Sequence, residues 1–168
     1  MHGVLELIQA VDAFLEAPKN LATGMGQLQW GAARDECAKR LKLPLEIEGE
    51  QHGHHLVIDA FPNSSSLKFC LAIQFGEHVV DRIDYELTVR HANQINSGLP
   101  QMVKGPHWHK WSYNRNTFKR KDNFLKLPNA SAFETPRQFD ATLRMFCADN
   151  NIAIGNHGIE LPPRDSLL

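Results

Sequence analysis

Hydrophobic residues change their spacing twice along this chain. From residue 3 to residue 16 they recur at helical intervals. Val4, Leu7, Ile8, Val11, Phe14 and Leu15 form one stripe, Glu6, Asp12 and Glu16 lie opposite, and Pro18 marks the exit. That spacing predicts an amphipathic helix over 3–16. Residues 19–27 read as a connecting loop, and 28–37 suit either a helix or a strand. From residue 39 the period drops to two. Leu41, Leu43, Leu45 and Ile47 alternate with their neighbours, and Pro44 favours an edge position for that strand. "HLVIDAF" and "LKFCLAIQF" continue as strands, with Gly76-Glu77 as a turn. "VVDRIDYELTVRH" then sets Ile83, Tyr85, Leu87 and Val89 on one face and Arg82, Asp84, Glu86, Thr88 and Arg90 on the other. A polar loop is expected over 91–105. Helical spacing returns with Phe139, Leu143, Phe146 and Cys147, behind Thr135 as N-cap and Pro136 at the first helical position, so a helix is expected over 136–150. "IAI" reads as a last short strand or a packed segment.

Consecutive strands with short connections and one apolar face imply an α+β fold: a curved antiparallel β-meander, about residues 39–113, packed against the N-terminal and C-terminal helices. The 168 residues fit a single domain. The order of elements lacks the βαβ alternation of a dinucleotide fold, and the chain has no Gly-rich phosphate loop.

Composition narrows the function classes. Hydrophobic content of 42% and charged content of 22% are ordinary for a globular protein. A net charge of -1 argues against coating nucleic acid or an anionic membrane with the whole surface. Cys37, Cys70 and Cys147 show no CxxC spacing and sit mostly in apolar settings, which suits core thiols in a reducing, cytoplasmic compartment. The N-terminus makes a poor signal peptide, no apolar run approaches spanning length, and no membrane partner is expected.

One segment departs from this background. Lys104–Lys121, "KGPHWHKWSYNRNTFKRK", holds six of the 18 basic residues and no acid. Read as an extended segment, it sets His107, His109, Trp111 and Tyr113 on one face. Two imidazoles near cations match the needs of phosphodiester cleavage by 2′-OH attack: one takes the hydroxyl proton and the other protonates the leaving oxygen. The candidate catalytic residues are His107, His109, Arg115 and His91. Trp108, Trp111 and Tyr113 are candidates to stack on unpaired bases, and Lys104, Lys110, Lys119, Arg120 and Lys121 to hold the backbone. His-x-His alone is a weak metal signal, so no metal or cofactor is assigned. A metal centre through His107 and His109 would need further ligands. His91 is the obvious candidate, and His78, Asp81 or Asp84 can also contribute. The bland alternative packs the aromatic residues against the sheet and satisfies both histidines with backbone groups. "QHGHH", residues 51–55, reads as a solvated hairpin turn.

"GPHWHKWSYNR", followed by "FLKLPNA" and "ETPRQFDATLRMFCADNNI", resembles an uncharacterised family of small bacterial proteins with a GPHxHxW…NR motif and a C-terminal helix ending FC…NI. The upstream "LPLEIEG", "LVIDAFPN" and "LKFCLAIQF" are similar to the same family's sheet, so the likeness covers roughly residues 28–154. The pattern falls on Gly105, Pro106, His107, His109, Trp111, Asn114 and Arg115, and leaves the helix at 3–16 outside it. The resemblance implies a single domain of bacterial or mobile-element origin and brings no activity. By analogy it points to phage-defence, toxin–antitoxin or prophage loci.

Three functions follow as expectations. The first is an RNA-directed protein, a metal-independent ribonuclease-like toxin or defence component with single-stranded RNA as partner. The second is a non-enzymatic module that binds a protein from the same locus, with Trp108 and Trp111 as anchors. The third is a metal centre through His107 and His109. The sequence leaves open whether the chain is an enzyme, and its oligomeric state.

Overall fold

A computed structural model describes residues 2–22, 28–117, 127–133, 138–155 and 158–164. The chain opens with α1 (His2–Glu16), then β1 (Lys19–Leu21), β2 (Gly31–Ala32), β3 (Lys39–Ile47), β4 (Glu50–Ala60), β5 (Phe69–Phe75) and β6 (His78–Tyr85). It continues with β7 (Arg90–Ala92), β8 (Met102–Lys104), β9 (His107–His109), α2 (Trp111–Asn114), a 3-10 turn at Arg115–Thr117, β10 (Ser131–Ala132), α3 (Phe139–Asp149) and β11 (Ile152–Ala153). Nine strands form an open sheet in the order β10-β9-β6-β5-β4-β3-β1-β11, with β2 added against β3, and β7 and β8 pair as a separate hairpin. All pairings are antiparallel except β1 with β11. The α+β architecture read from the sequence is the one observed.

Alternation sorts the sheet into two chemically different faces. Leu41, Ile58, Leu71, Ile83 and Trp108 stand opposite one another across five strands. This row belongs to the buried core together with Val11 and Phe14 of α1 and Phe139, Leu143 and Phe146 of α3. Phe69 stacks on Tyr85 at 4.5 Å and meets Phe139 edge-on at 5.1 Å, so α3 packs on the same face. One residue along each strand, the pattern turns polar. Arg40, Asp59, Cys70, Asp84 and His107 form the next row, and Lys42, Val57, Ala72, Arg82 and His109 the one after it. Both histidines therefore stand on the face away from the helices.

Several sequence expectations are corrected. The strand over 79–91 ends at Tyr85, where the chain leaves the sheet, and Leu87 is 58% exposed. The expected loop at 91–105 contains β7 and β8. Lys19–Leu21, read as loop, pairs with both β3 and β11. The β3–β4 turn falls at Glu48-Gly49, both at positive φ, which fits a two-residue type I′ hairpin. "QHGHH" lies inside β4, and His54 packs between Phe14 and Phe75, with ring centroids 4.5 Å from each. α3 begins at Phe139 behind Gln138, and the expected cap at Thr135 and Pro136 lies outside the described residues.

Candidate metal centre

β9 is only three residues long, and "GPH" explains how it starts. Gly105 adopts φ 74, a conformation that L side chains rarely take, and its N–H donates to Val89 O at 2.9 Å. This closes the β7–β8 hairpin and returns the chain to β6. The Gly105 carbonyl then accepts from His107 Nδ1 at 2.8 Å. His109 Nδ1 donates to Leu127 O at 2.7 Å, and His91 Nε2 donates to Pro128 O at 2.9 Å. A carbonyl can only accept, so each bond fixes a proton on that ring nitrogen. In the neutral rings the lone pairs are on His107 Nε2, His109 Nε2 and His91 Nδ1.

The three rings form one cluster. His91 and His107 stack at 5.2 Å, His91 meets His109 edge-on at 4.6 Å, and His107 and His109 are 5.0 Å apart. One nitrogen from each lies within 4.8 Å of the others. His107 and His109 are 2% and 0% exposed, while His91 is half-buried on the hairpin. Cross-strand register brings β6 into the cluster, because Asp84 faces His107 and Arg82 faces His109. Asp84 Oδ2 lies 3.5 Å from His107 Nε2 and 3.2 Å from His109 Nε2. One nitrogen of Arg82, Nη2, donates to His109 Nε2 and to Asp84 Oδ2, each at 3.0 Å.

Electrostatics separates the two buried imidazoles. Burial disfavours charge on both. On His109 burial prevails, helped by Arg82 and His91, and the pKa falls. On His107 the Asp84 carboxylate and the Gly105 carbonyl outweigh burial, and the pKa rises. Burial would raise Asp84, yet its bonds to His107 and His109 and the charge of Arg82 hold it well below the usual carboxylate range. The neighbouring Cys70 thiol is pushed well up, first by burial and then by Asp84, which makes it a poor nucleophile.

The remaining candidates from Lys104–Lys121 are placed elsewhere. The expectation that Trp111 and Tyr113 share the histidine face is corrected, because the strand ends at His109 and Trp111 begins α2. Trp108 and Trp111 are 4% and 5% exposed. Trp108 Nε1 donates to Asp81, and Trp111 Nε1 donates to Asp12 of α1 at 2.7 Å. Both indoles are therefore core groups, closed to base stacking or to a partner's surface. Arg115 pairs with the same Asp12, so the cation beside the imidazoles is Arg82. Lys110 bridges to Asp149 at 3.0 Å and lies over the Trp108 ring. Lys104 is exposed on β8, and Tyr113 takes a hydrogen bond from Ser131. Lys119, Arg120 and Lys121 lie outside the described residues.

Sequence reasoning named Asp84 as a candidate further ligand but missed three supports of the cluster: Arg82, the carbonyls of "LPN" and the anchoring by Asn114. Arg82 and Asp84 were visible as an i, i+2 polar pair, but only register brings them to the histidines. The "LPN" segment supplies two of the carbonyls. Asn114, 0% exposed, fixes that segment by accepting from Asn129 N and donating to Asn129 O, both at 2.9 Å. Comparison of the chain with family models, curated proteins and solved structures returns no match, so no function comes from likeness.

Proposed function

We propose that this chain is a metalloprotein that holds a divalent first-row transition ion through His91, His107, His109 and Asp84. The observation that carries the reading is the orientation of the imidazoles. Each commits one N–H to a backbone carbonyl, so that the neutral ring presents its lone pair on the other nitrogen, the outer-shell arrangement that metal-ligating histidines use. Bonds of about 2.0–2.2 Å in a tetrahedral site put neighbouring donor atoms about 3.3–3.6 Å apart. Asp84 Oδ2 is 3.2 and 3.5 Å from the two Nε2 atoms, close to that spacing. His91, on its separate hairpin, offers a ring nitrogen within 4.8 Å of the other two and would move inward to close the set. Three imidazoles and one carboxylate suit zinc, iron(II), cobalt or nickel rather than calcium or magnesium. An ion there would supply Lewis-acid chemistry beside a carboxylate that is 29% exposed.

The metal-free ribonuclease reading has less support, because an acid–base pair must reach a substrate hydroxyl and these rings are 2% and 0% exposed. The protein-binding reading loses its anchors with the burial of Trp108 and Trp111. Elemental analysis tests the proposal directly. Untagged protein loaded in turn with Zn²⁺, Co²⁺, Ni²⁺ and Fe²⁺, then dialysed without chelator, should retain about one ion per chain. His107→Ala with His109→Ala, in protein shown to be folded by circular dichroism, should abolish retention. Substoichiometric metal after all four loadings would overturn the reading.

A further inference from the structure

Arg82 occupies an unusual position in this cluster. Its guanidinium Nη2 donates to His109 Nε2 and to Asp84 Oδ2, two of the atoms that would bind the ion. A metal that takes the one lone pair of His109 Nε2 breaks the bond from Arg82 to that ring, whereas the Asp84 carboxylate keeps further lone pairs and can still accept from Arg82. Arg82 must re-aim the N–H that His109 held, while its stem stays fixed in β6 opposite His109 and Ala72. The side chain is 33% exposed, which leaves it room on the open edge of the cluster. Its Nε is buried and has no hydrogen-bond partner among the described residues. A buried unpaired donor is costly, so the geometry already favours an acceptor that the protein does not itself provide.

We propose that Arg82 is a metal-coupled oxyanion clamp: once an ion is bound by the histidines and Asp84, the guanidinium N–H freed from His109, the unpartnered Nε–H and the ion together bind a phosphate or phosphate-ester group. The inference rests on the metal reading above and adds a ligand class to it. A planar guanidinium matches two oxygens of a tetrahedral anion in parallel, and one of the remaining oxygens can reach the ion. The ion also removes one competing acceptor, because His109 Nε2 is then a ligand, and it shares the Asp84 charge that otherwise holds Arg82. Metal and phosphate therefore bind with positive coupling, and linkage makes the effect reciprocal.

Cobalt gives a direct readout, since its visible absorption reports the coordination shell. Wild-type protein loaded with Co²⁺ is titrated with inorganic phosphate, and separately with acetate at matched ionic strength. Phosphate should shift the spectrum saturably, and the affinity of the loaded protein for phosphate should exceed that of metal-free protein by about tenfold. Arg82→Gln should bind Co²⁺ at least as tightly as the wild type, having lost a competing cation, and should lose the phosphate response. Arg82→Lys should restore part of it, as a point charge without the fork. Failure of the wild type to acquire a cobalt spectrum overturns the metal reading, and this inference with it. A cobalt spectrum that phosphate leaves unchanged, or an Arg82→Gln response equal to the wild type, overturns the clamp alone. An equal response to acetate overturns the assignment to phosphate.

Discussion

Asp81 sits on the apolar side of β6, in alternation with Ile83 and Tyr85, and is 4% exposed. It accepts from the Trp108 indole and from the Trp111 backbone N–H at 3.3 Å. Burial nevertheless dominates and lifts its pKa to about 7, against the pull of those two donors. The folded state thus holds the Asp81 proton more tightly than the unfolded chain does. Its effect on stability is an ionisation cost that grows as pH rises from about 4 to about 7 and is complete above that. The size is on the order of 4 kcal/mol. Urea denaturation across this range should show the wild type losing stability relative to Asp81→Asn as pH rises. Parallel profiles for the two proteins would show that folding does not raise the Asp81 pKa. The same residues show what was legible at this scale. Alternation in "DRIDY" correctly put Asp84 opposite Ile83, and "HWH" correctly put both histidines on one face. It went astray at Trp111, because a period of two carries no signal for where the strand stops. Arg115 was favoured for its nearness in sequence, whereas Arg82 reaches His109 across 27 positions of chain.

The β7–β8 hairpin is the element that completes the histidine cluster, and three of the bonds around its attachment come from one side chain. Asn93 donates to Ala130 O at 2.8 Å and to Pro100 O at 2.7 Å, and accepts from Ala130 N at 2.6 Å. It thereby ties the hairpin to the segment before β10, whose Pro128 carbonyl holds His91. Asn93→Ala leaves the Ala130 N–H and carbonyl without these partners and should cost about 1–3 kcal/mol, read as a lower urea midpoint. The same variant should become sensitive to limited proteolysis within 93–101 before it unfolds globally. An unchanged midpoint and cleavage rate would show that the hairpin is held by other contacts. This element was the least legible part of the fold. Apolar alternation runs on through Leu87 and Val89 after the sheet has ended, since the pattern specifies faces and not pairing partners. Gly105 supplied a sign of the return, because "GP" before a β-rich tripeptide marks a turn. What the sequence could not show was that this turn folds His91 over β9.

At the scale of the whole molecule, the two ends of the chain are fastened to each other and to the sheet. Lys19 is 1% exposed, and its ammonium donates to Phe14 O at 2.7 Å, Leu15 O at 3.1 Å and Ala17 O at 2.6 Å, which caps the C-terminus of α1. Burial lowers its pKa to about 8, so the ammonium form still predominates at neutral pH. Its backbone N–H donates to Asn151 O at 2.8 Å, beginning the parallel pairing of β1 with β11. Asn151 in turn donates to Leu15 O at 3.1 Å and Glu16 O at 3.3 Å. The last turn of α1 is therefore satisfied by a strand that follows it and by a residue 136 positions away. The same helix holds Trp111 and Arg115 through Asp12, next to the segment that carries the histidines. Lys19→Met keeps the aliphatic bulk and deletes three bonds to helix-terminal carbonyls. It should cost about 2–4 kcal/mol. Because α1, α3 and the sheet share one contiguous core, that loss should lower the midpoint of a single transition. Tryptophan fluorescence and far-ultraviolet circular dichroism, followed together in urea, should remain coincident in the variant. Separate transitions, with helical signal lost first, would mean that α1 folds onto the sheet as an independent unit and that the histidine cluster does not depend on it.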